Sequence, residues 1–336
     1  MMEYRSLGRT GVKVSPLCLG TMNFGGRTDD KEAVEIIHRA LDAGINFVDT
    51  ANVYNDGKSE TIVGKAIKKS GQRDQIVLAT KVFGPMGEGP NDRGNHRRHI
   101  RAQCDASLER LDTDRIDLYQ IHRPMSEIPI DETLRALDDL IRAGKVHYVG
   151  TSTFAAWQLM ESLMVAKELG LNRFVTEQPP YHPLDRRIER ELLPFCRTYG
   201  FGVIPWSPLA GGFFSGKYGR EGEWPSDSRF GSKEEKKRQD FQGPAFDVLE
   251  TVEALARDAK ASPSQYALAW CMHQPGVTSP IIGPRTMEQL EDNLGALAID
   301  VTDDHRERID EVAQPGGVIV PFYDADFGPS CCTPLP

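Results

Sequence analysis

The chain has 336 residues, of which 39% are hydrophobic and 26% are charged, the composition of a folded globular protein rather than of a disordered chain. Its 40 lysines and arginines against 49 aspartates and glutamates give a net charge of −9, which disfavours a general affinity for nucleic acids or anionic membranes. At roughly 150 residues per domain the length allows two domains, but a single α/β barrel of roughly 250 residues with insertions fills it equally well.

Hydropathy and cysteine usage narrow the class of protein further. No apolar run approaches the roughly 18 residues of a membrane-spanning helix, and residues 1–5 lack the apolar core of a secretory signal. The six cysteines are scattered without a CxxC pair, so we expect neither a structural zinc ion nor a disulfide framework. These features predict a cytoplasmic protein with no bound metal and no membrane or nucleic-acid partner.

The chain begins with a hairpin pattern and then alternates short β-rich segments with longer amphipathic ones. Residues 5–15 alternate like a β-hairpin, which we expect to cover the bottom of a barrel. The predicted strands are 17–20, 45–48, 76–80, 116–121, 146–150, 174–177, 202–205 and 280–282. The predicted helices are 30–43, 60–69, 96–111, 130–143, 155–169, 187–199, 245–273 and 303–312. Asp30 is expected to cap the first helix at its start, and Gly44, Gly144 and Gly170 to end the helices that precede them.

Two segments interrupt this alternation. Residues 207–243, after the seventh strand, form a long loop rich in glycine, proline and charge, of the kind that often serves as a lid or a binding loop. Residues 315–336 are predicted to be an irregular C-terminal tail. Its aromatic residues either pack over the barrel mouth or belong to a loose end.

The alternation itself predicts the fold class. Strand–helix repeats imply a parallel sheet with helical crossovers, and eight of them favour closure into an α/β (β/α)8 barrel, the TIM barrel. The alternative is an open doubly wound sheet, but its usual cofactor motif, GxGxxG at the start of the first helix, is absent. We therefore expect residues 1–336 to form one barrel with an N-terminal hairpin and a long loop after strand seven.

Ionisable side chains follow three successive predicted strands. Asp49, Lys81 and His122 stand at these strand ends, and Tyr54 lies five residues beyond Asp49. In a barrel the strand ends meet at one mouth, where barrel enzymes have their active sites. Each residue alone has an ordinary alternative: Asp49 as a helix cap, Lys81 as a solvated lysine, His122 as a core histidine. Their shared position on consecutive strands favours one catalytic site.

These residue types suit proton donation to an oxygen atom that gains negative charge. A phenol is a weak acid at neutral pH, and an adjacent ammonium stabilises the phenolate form. A carboxylate beside the lysine keeps the lysine charged in a low-dielectric pocket. A histidine within reach orients a carbonyl oxygen or shares the proton transfer. The set therefore predicts reduction of a carbonyl group.

Three other motifs are incomplete. Segment 211–217 is one residue short of a phosphate-binding P-loop, and Tyr218 stands where that loop has Ser or Thr. Segment 150–154 resembles a nucleophile elbow without its last glycine. His96 and His99 have the spacing of two metal ligands on a helix, but no third ligand accompanies them clearly. A solvated helix start is the simpler interpretation of that pair.

The motifs Asp49-Thr-Ala-Asn-Val-Tyr54, Lys81 and Asp117-Leu-Tyr-Gln-Ile-His122-Arg-Pro together resemble those of the aldo-keto reductases, a family of NADPH-dependent (β/α)8 carbonyl reductases. The resemblance extends from the N-terminal hairpin to residue 293, nearly the whole chain. It implies Tyr54 as the general acid, Lys81 and Asp49 as the residues that tune it, and His122 as the residue that orients the substrate.

The resemblance also implies NADP(H) as the cofactor. The implied contacts with the nicotinamide and pyrophosphate are Gly20, Thr21, Met22, Asp49, Ser152, Thr153, Gln178, Trp206, Ser207, Pro208, Leu209, Gly211, Lys217 and Arg229. The implied contacts with the adenosine are Gly283, Arg285, Gln289 and Asn293. Arg285 is the most informative, because a planar donor fork at a helix start suits the 2′-phosphate that distinguishes NADP from NAD. Its alternative is an ordinary surface arginine.

One departure from the family pattern bears on cofactor affinity. The family usually has Ser-Asn where this chain has Ser152 and Thr153, whose shorter hydroxyl has less reach toward the carboxamide. Loop position alone suggests the substrate-lining residues, which are Phe24, Val53, Tyr54, Phe83, His122 and Arg123.

Three functions fit these motifs. The first is NADPH-dependent reduction of aldehydes or ketones to alcohols. The second is an NADPH-binding regulatory subunit with slow turnover, since the family branch with the β subunits of voltage-gated potassium channels shares Trp206-Ser-Pro-Leu-Ala and Ser215-Gly-Lys-Tyr. The third is another barrel enzyme, an isomerase or hydrolase that uses no nicotinamide. We expect the first, with a small-molecule carbonyl as substrate, and a homo-oligomer is compatible with it.

Overall fold

The computed structural model describes residues 2–221, 224–226, 228, 230 and 241–321. Within them, the strands are β1 (Arg5–Ser6), β2 (Lys13–Val14), β3 (Cys18–Gly20), β4 (Phe47–Asp49), β5 (Val77–Val82), β6 (Ile116–Ile121), β7 (Val146–Ser152), β8 (Phe174–Gln178), β9 (Gly202–Val203) and β10 (Ile281–Ile282). The first two form an antiparallel hairpin. The other eight form one parallel sheet in the order β10-β3-β4-β5-β6-β7-β8-β9. The predicted TIM-barrel-like fold and its N-terminal hairpin are therefore confirmed.

Hydrogen bonds also join the two outer strands of this sheet. The backbone N–H of Thr278 donates to the carbonyl of Val203 at 2.8 Å, and that of Ile281 donates to the carbonyl of Pro205 at 2.8 Å. Because β9 and β10 stand at opposite ends of the strand order, these bonds curl the sheet round on itself. The carboxyl ends of the parallel strands consequently face one mouth.

Helices connect the strands and pack their apolar faces on the outside of the sheet. They are α1 (Asp30–Asp42), α2 (Lys58–Ser70), α3 (Arg97–Leu111), α4 (Ile130–Arg142), α5 (Ala156–Leu169), α6 (Leu192–Tyr199), α7 (Pro244–Asp258), α8 (Pro263–Met272), α9 (Met287–Leu294) and α10 (Asp303–Val312). In the described part of the chain, none of these helices has the length and apolarity needed to span a membrane.

The predicted helix 245–273 is wrong, because two helices occupy this segment. The Ser262 hydroxyl accepts a hydrogen bond from the N–H of Gln265 at 3.1 Å, and the Gln265 side chain accepts one from the N–H of Ser262 at 3.1 Å. This reciprocal capping box starts α8, and Pro263 suits the first helical position because it has no N–H to satisfy.

The predicted start of one further helix and the predicted cap of another are wrong. Helix α6 begins at Leu192 rather than at residue 187, because Glu191 has a non-helical backbone (φ −140°) after a separate 3-10 turn at Arg187–Glu189. Helix α1 is capped by Asp29 rather than by Asp30, since the Asp29 side chain accepts hydrogen bonds from the N–H groups of the next turn.

The N-terminal hairpin closes one end of the barrel interior. Side chains from the hairpin and the strands form one buried cluster, which is Leu7, Val14, Cys18, Phe47, Val77, Ala79, Leu118, Val175 and Ile204. Gly8 permits this close contact, because its φ is +56° and a Cβ there would lie only 2.6 Å from the N atom of Gly202. The cluster includes the first residues of β3, β4 and β5, so the hairpin covers the bottom and leaves the opposite mouth for a site.

The long loop after β9 is fastened to α7 by aromatic side chains. It contains a 3-10 segment, Ala210–Ser215. The aromatic cluster consists of Phe213, Tyr218, Trp224, Phe230, Phe241 and Phe246. Arg229 and residues 322–336, which include the aromatic residues of the predicted C-terminal tail, lie outside the described residues.

Candidate active site

Two neighbouring strands bring Asp49 and Lys81 together beside Tyr54. Asp49 ends β4, and Lys81 lies near the end of the adjacent β5. Nζ of Lys81 donates to Oδ2 of Asp49 at 2.5 Å, to the carbonyl of Thr50 at 2.8 Å and to the hydroxyl of Tyr54 at 3.1 Å. Lys81 is 0% and Asp49 2% exposed. The ion pair is therefore shielded from water and touches the phenol directly.

A tight turn directly after Tyr54 holds the phenol in place. Asn55 and Asp56 both have left-handed backbone, with φ of 49° and 55°, a conformation that Asn and Asp tolerate better than most residues. The Asn55 amide donates to the carbonyl of Met22 at 3.1 Å and to that of Phe24 at 2.8 Å. The turn is thereby tied to the loop between β3 and α1.

His122 faces the phenol from the next strand. It follows β6, and its ring meets that of Tyr54 edge-on, with centroids 5.7 Å apart and planes at 80°. Burial lowers the pKa of His122 well below its ordinary value of 6.5, and the charges of Lys81 and Arg123 lower it further. Burial also disfavours the charge on Lys81, but the Asp49 carboxylate and the Tyr54 hydroxyl outweigh it and raise the pKa of Lys81 above 10.5. The site thus combines a charged ammonium with a neutral imidazole.

Two glutamines donate hydrogen bonds to the second oxygen of the Asp49 carboxylate. Nε2 of Gln120 and Nε2 of Gln178 each donate to Oδ1 of Asp49 at 3.0 Å, and Gln178 also donates to Oε1 of Gln120 at 3.2 Å. Gln178 was among the residues predicted from the sequence, but Gln120 was not. The signal was present, because Gln120 precedes His122 by two positions and alternate residues of a strand share a face.

Asp49, Tyr54, His122 and Gln178 line a cavity of about 750 Å³, within the range typical of small-molecule sites. The predicted residues that line it are Gly20, Thr21, Met22, Asp49, Tyr54, His122, Arg123, Ser152, Gln178, Trp206, Ser207, Pro208, Leu209, Gly211, Lys217, Gly283, Arg285, Gln289 and Asn293. Residues from the first barrel strand, the middle of the sheet and α9 therefore share one space.

Other predicted residues do not line this cavity. Phe24 is fully buried in the core between the sheet and the helices, where its apolar ring gains more from burial than at a solvated mouth. Phe83 is partly buried, and neither it nor Val53 borders the cavity. Lys81 does not border the cavity either, but it contacts Asp49 and Tyr54, which do.

The loop after β7 directs the Thr153 side chain away from the cavity. Thr153 has φ of 61°, a costly conformation for a β-branched residue. Its hydroxyl donates to the carbonyl of Ser152 at 2.6 Å and accepts from Nη1 of Arg123 at 3.2 Å. Nη1 of Arg123 also donates to the carbonyl of His122 at 2.9 Å. Ser152 itself lines the cavity, so only one of the two hydroxyls expected at the carboxamide does so.

A buried carboxyl group supports this strained loop. Oε1 of Glu177 accepts from the N–H of Phe154 at 3.1 Å, and Oε2 lies 2.5 Å from the hydroxyl of Thr151. Burial raises the pKa of Glu177 to about 8, although its hydrogen bonds with Thr151 and the loop backbone oppose the shift. Glu177 was not predicted from the sequence, because nothing in a strand pattern reveals that a loop folds back onto it.

The start of α9 forms the opposite end of the cavity. The Thr286 hydroxyl accepts from the N–H of Gln289 at 3.3 Å, and Oε1 of Gln289 accepts from the N–H of Arg285 at 2.9 Å. Three charged residues that sequence analysis did not select also line the cavity, and they are Arg27, Glu288 and Asp292.

The pair His96 and His99 caps the start of α3. Nδ1 of His96 accepts from the N–H of His99 at 3.3 Å and so caps the helix. Across the described residues, no group of three or more His, Cys, Asp or Glu side chains is arranged to hold a metal ion.

Comparison with known proteins gives a matching family and several similar proteins. A model of the aldo/keto reductase family matches residues 16–314. A Bacillus subtilis (strain 168) protein described as the uncharacterized oxidoreductase YrpG is 42% identical over 326 residues, covering 94% of this chain and 98% of the relative. Proteins of Oryza sativa subsp. japonica and Arabidopsis thaliana, each described as a probable voltage-gated potassium channel subunit beta, are 40% and 41% identical over 304 residues, covering 89% of this chain and 92% of each relative. The family match includes every residue that lines the cavity.

Proposed function

The chain belongs to the aldo/keto reductase family and is an oxidoreductase of that family, and we propose that it reduces aldehydes or ketones to alcohols with NADPH. The observation that carries the proposal is the 3.1 Å contact between Nζ of Lys81 and the hydroxyl of Tyr54 at the cavity wall. A proton donor, a charge that stabilises its conjugate base, and the neutral imidazole of His122 lie side by side there.

In the proposed reaction Tyr54 is the proton donor. The carbonyl oxygen accepts hydrogen bonds from the Tyr54 hydroxyl and from an N–H of neutral His122. As that oxygen gains negative charge, Tyr54 transfers its proton, and the ammonium of Lys81 stabilises the phenolate left behind. Asp49 keeps Lys81 charged in its buried position. General acids of this kind contribute rate factors of about 10²–10⁴.

The chemistry of the cavity wall fits a nicotinamide dinucleotide, which supplies the hydride when bound. The residues that would hold it are Gly20, Thr21 and Met22 beside the nicotinamide, Ser152 and Gln178 at the carboxamide, Trp206 at the ring face, Ser207 and Lys217 at the pyrophosphate, and Arg285, Gln289 and Asn293 at the adenosine. The wall thus includes cationic and hydroxyl donors, as a diphosphate and a 2′-phosphate require.

Calorimetric titration with NADPH and with NADH tests the cofactor. We expect tighter binding of NADPH, and a loss of that preference in Arg285→Ala. A screen of aldehydes and ketones then tests the reaction, with Tyr54→Phe as the control. This variant should bind NADPH within about twofold of the wild type while its kcat falls about 10²- to 10⁴-fold. Failure of both nucleotides to bind would overturn the proposal.

A second function is favoured by the descriptions of the two plant relatives as potassium channel β subunits. In that case the chain would bind NADPH, turn over slowly and regulate a partner protein. Enzymes typically have kcat values of about 1–10³ s⁻¹. A turnover above a few per second with any carbonyl of the screen would exclude slow sensing as the main function.

A further inference from the structure

Two arginines from different loops stand at the α9 end of the cavity. Arg27 lies in the loop between β3 and α1, and Arg285 lies between β10 and α9; both line the cavity. Among the described residues, neither guanidinium forms an ion pair within 4.0 Å. Two guanidinium groups that face a cavity and are not within ion-pair distance of a carboxylate favour an anionic ligand there.

Hydrogen bonds hold these two loops together. The Thr28 hydroxyl donates to the carbonyl of Arg285 at 2.9 Å, and Nδ2 of Asn23 donates to the carbonyl of Gly283 at 3.1 Å. The loop that carries Arg27 also has internal backbone bonds, in which the N–H of Gly25 donates to Thr28 at 3.0 Å and that of Thr28 donates to Asn23 at 3.0 Å. The Arg27 backbone is therefore preorganised beside Arg285.

The charges at this end of the cavity require a second cation. Glu288 and Asp292 line the same space, so Arg285 alone would leave a net charge of −1 there (+1 − 2). A 2′-phosphate carries nearly two negative charges at neutral pH and would be repelled. Arg27 brings the local sum to zero and adds a second planar donor fork.

We propose that Arg27 is a second cofactor-selecting residue, which binds the 2′-phosphate of NADPH together with Arg285. This inference rests on the proposed function, since it concerns the nucleotide that the same cavity takes. The α9 end then discriminates NADPH from NADH by two arginines on opposed loops rather than by one.

Calorimetric titration of Arg27→Gln with NADPH, NADH and adenosine 2′,5′-bisphosphate tests the inference. We expect the Kd for NADPH and for the bisphosphate to rise roughly three- to tenfold, the range between an exposed ion pair and a charge-assisted hydrogen bond. The Kd for NADH should change less than about twofold, which also shows that the variant is folded. Arg98→Gln is the matched control, because Arg98 is exposed on α3 outside the cavity and its loss changes the net charge equally.

The outcomes separate the two proposals. A loss of NADPH preference in Arg27→Gln, with a further loss in the double variant with Arg285→Gln, supports the inference. If the wild type prefers NADPH and Arg27→Gln behaves like Arg98→Gln, Arg27 is a solvated surface arginine and the inference alone is wrong. If the wild type binds neither nucleotide, or prefers NADH, the inference and the assignment of NADPH both fail.

Discussion

Nζ of Lys81 lies 2.5 Å from Oδ2 of Asp49, and the two side chains are 0% and 3% exposed. A buried ion pair loses hydration on both partners, so its net contribution to stability is small even when its geometry is good. Here the pair has a chemical consequence instead, because it keeps a positive charge in contact with the phenol of Tyr54. Removing one partner leaves the other charge buried and unpaired, whereas replacing both partners leaves no unpaired charge.

Lys81→Met should destabilise the protein strongly. Methionine retains most of the volume of lysine but leaves the Asp49 carboxylate buried without its cation, which costs about 3–5 kcal/mol. We expect the free energy of unfolding, measured by urea denaturation, to fall by that amount, and carbonyl reduction to be lost. Because the pKa of Lys81 is raised on folding, the contribution of its charge is present at neutral pH and is lost only as pH rises through that raised value.

The double variant Asp49→Asn/Lys81→Met is the control. Its asparagine oxygen still accepts from Gln120 and Gln178, and no charge remains buried. It should therefore be more stable than Lys81→Met alone, although equally inactive. If the losses in the free energy of unfolding of Asp49→Asn and of Lys81→Met add up to the loss of the double variant, the two side chains are not coupled in the way their geometry indicates.

His122 should remain neutral well below pH 6.5. Its pKa is lowered by burial and by the charges of Lys81 and Arg123, so at neutral pH the ring is an uncharged imidazole that donates a hydrogen bond through its one N–H. Proton NMR of the ring, with the signal identified by its absence in His122→Asn, should show no titration between pH 5.5 and 7.5. The same residue in urea-unfolded protein should titrate near pH 6.5. A midpoint between pH 6 and 7 in the folded protein would contradict this electrostatic account.

The sequence was sufficient for the fold because strand–helix alternation and apolar runs are local patterns. All eight barrel strands follow from it, with ends displaced by at most two residues. The break between α7 and α8 was also readable, since Ser262 and Gln265 have capping-box spacing, but the apolar pattern runs through it. Local capping competes with periodicity there, and the capping interactions prevail.

Only those residues of the candidate site whose positions follow from the ends of strands were predictable from the sequence. Asp49, Lys81 and His122 follow consecutive strands, and parallel pairing alone brings them together. Phe24 and Thr153 were misplaced because loop conformation decides where their side chains point. That conformation depends on distant contacts, such as those of Glu177, which leave no local pattern.

Glu177 should make stability fall as pH rises. Its carboxyl has a pKa of about 8 when folded against 4.5 ordinarily, so between these values the folded chain binds more protons than the unfolded chain, and the free energy of unfolding decreases. The Thr151 hydroxyl lies 3.1 Å from the carbonyl of Thr176; if it donates there, it accepts from a protonated Glu177. Urea denaturation from pH 5 to pH 8 should show this loss in the wild type and a smaller one in Glu177→Gln.

Glu168→Gln is the matched control for that experiment, because Glu168 is exposed on α5 and the same carboxyl-to-amide exchange is made there. Its pH dependence should parallel that of the wild type. Parallel curves for wild type and Glu177→Gln would instead mean that this carboxyl is ionised in the folded protein throughout the range.

Thr153→Asn should stabilise the protein, although it removes a hydroxyl that makes two hydrogen bonds. The residue has φ of 61°, where a β-branched side chain is strained and asparagine is tolerated. We expect a gain of about 1 kcal/mol, measured as a rise in Tm of roughly 1–2 °C. Thr153→Ser separates the two effects, because it keeps the hydroxyl and removes only the branching methyl group. A lower Tm for Thr153→Asn with a higher one for Thr153→Ser would show that the hydrogen bonds to Ser152 and Arg123 outweigh the backbone strain.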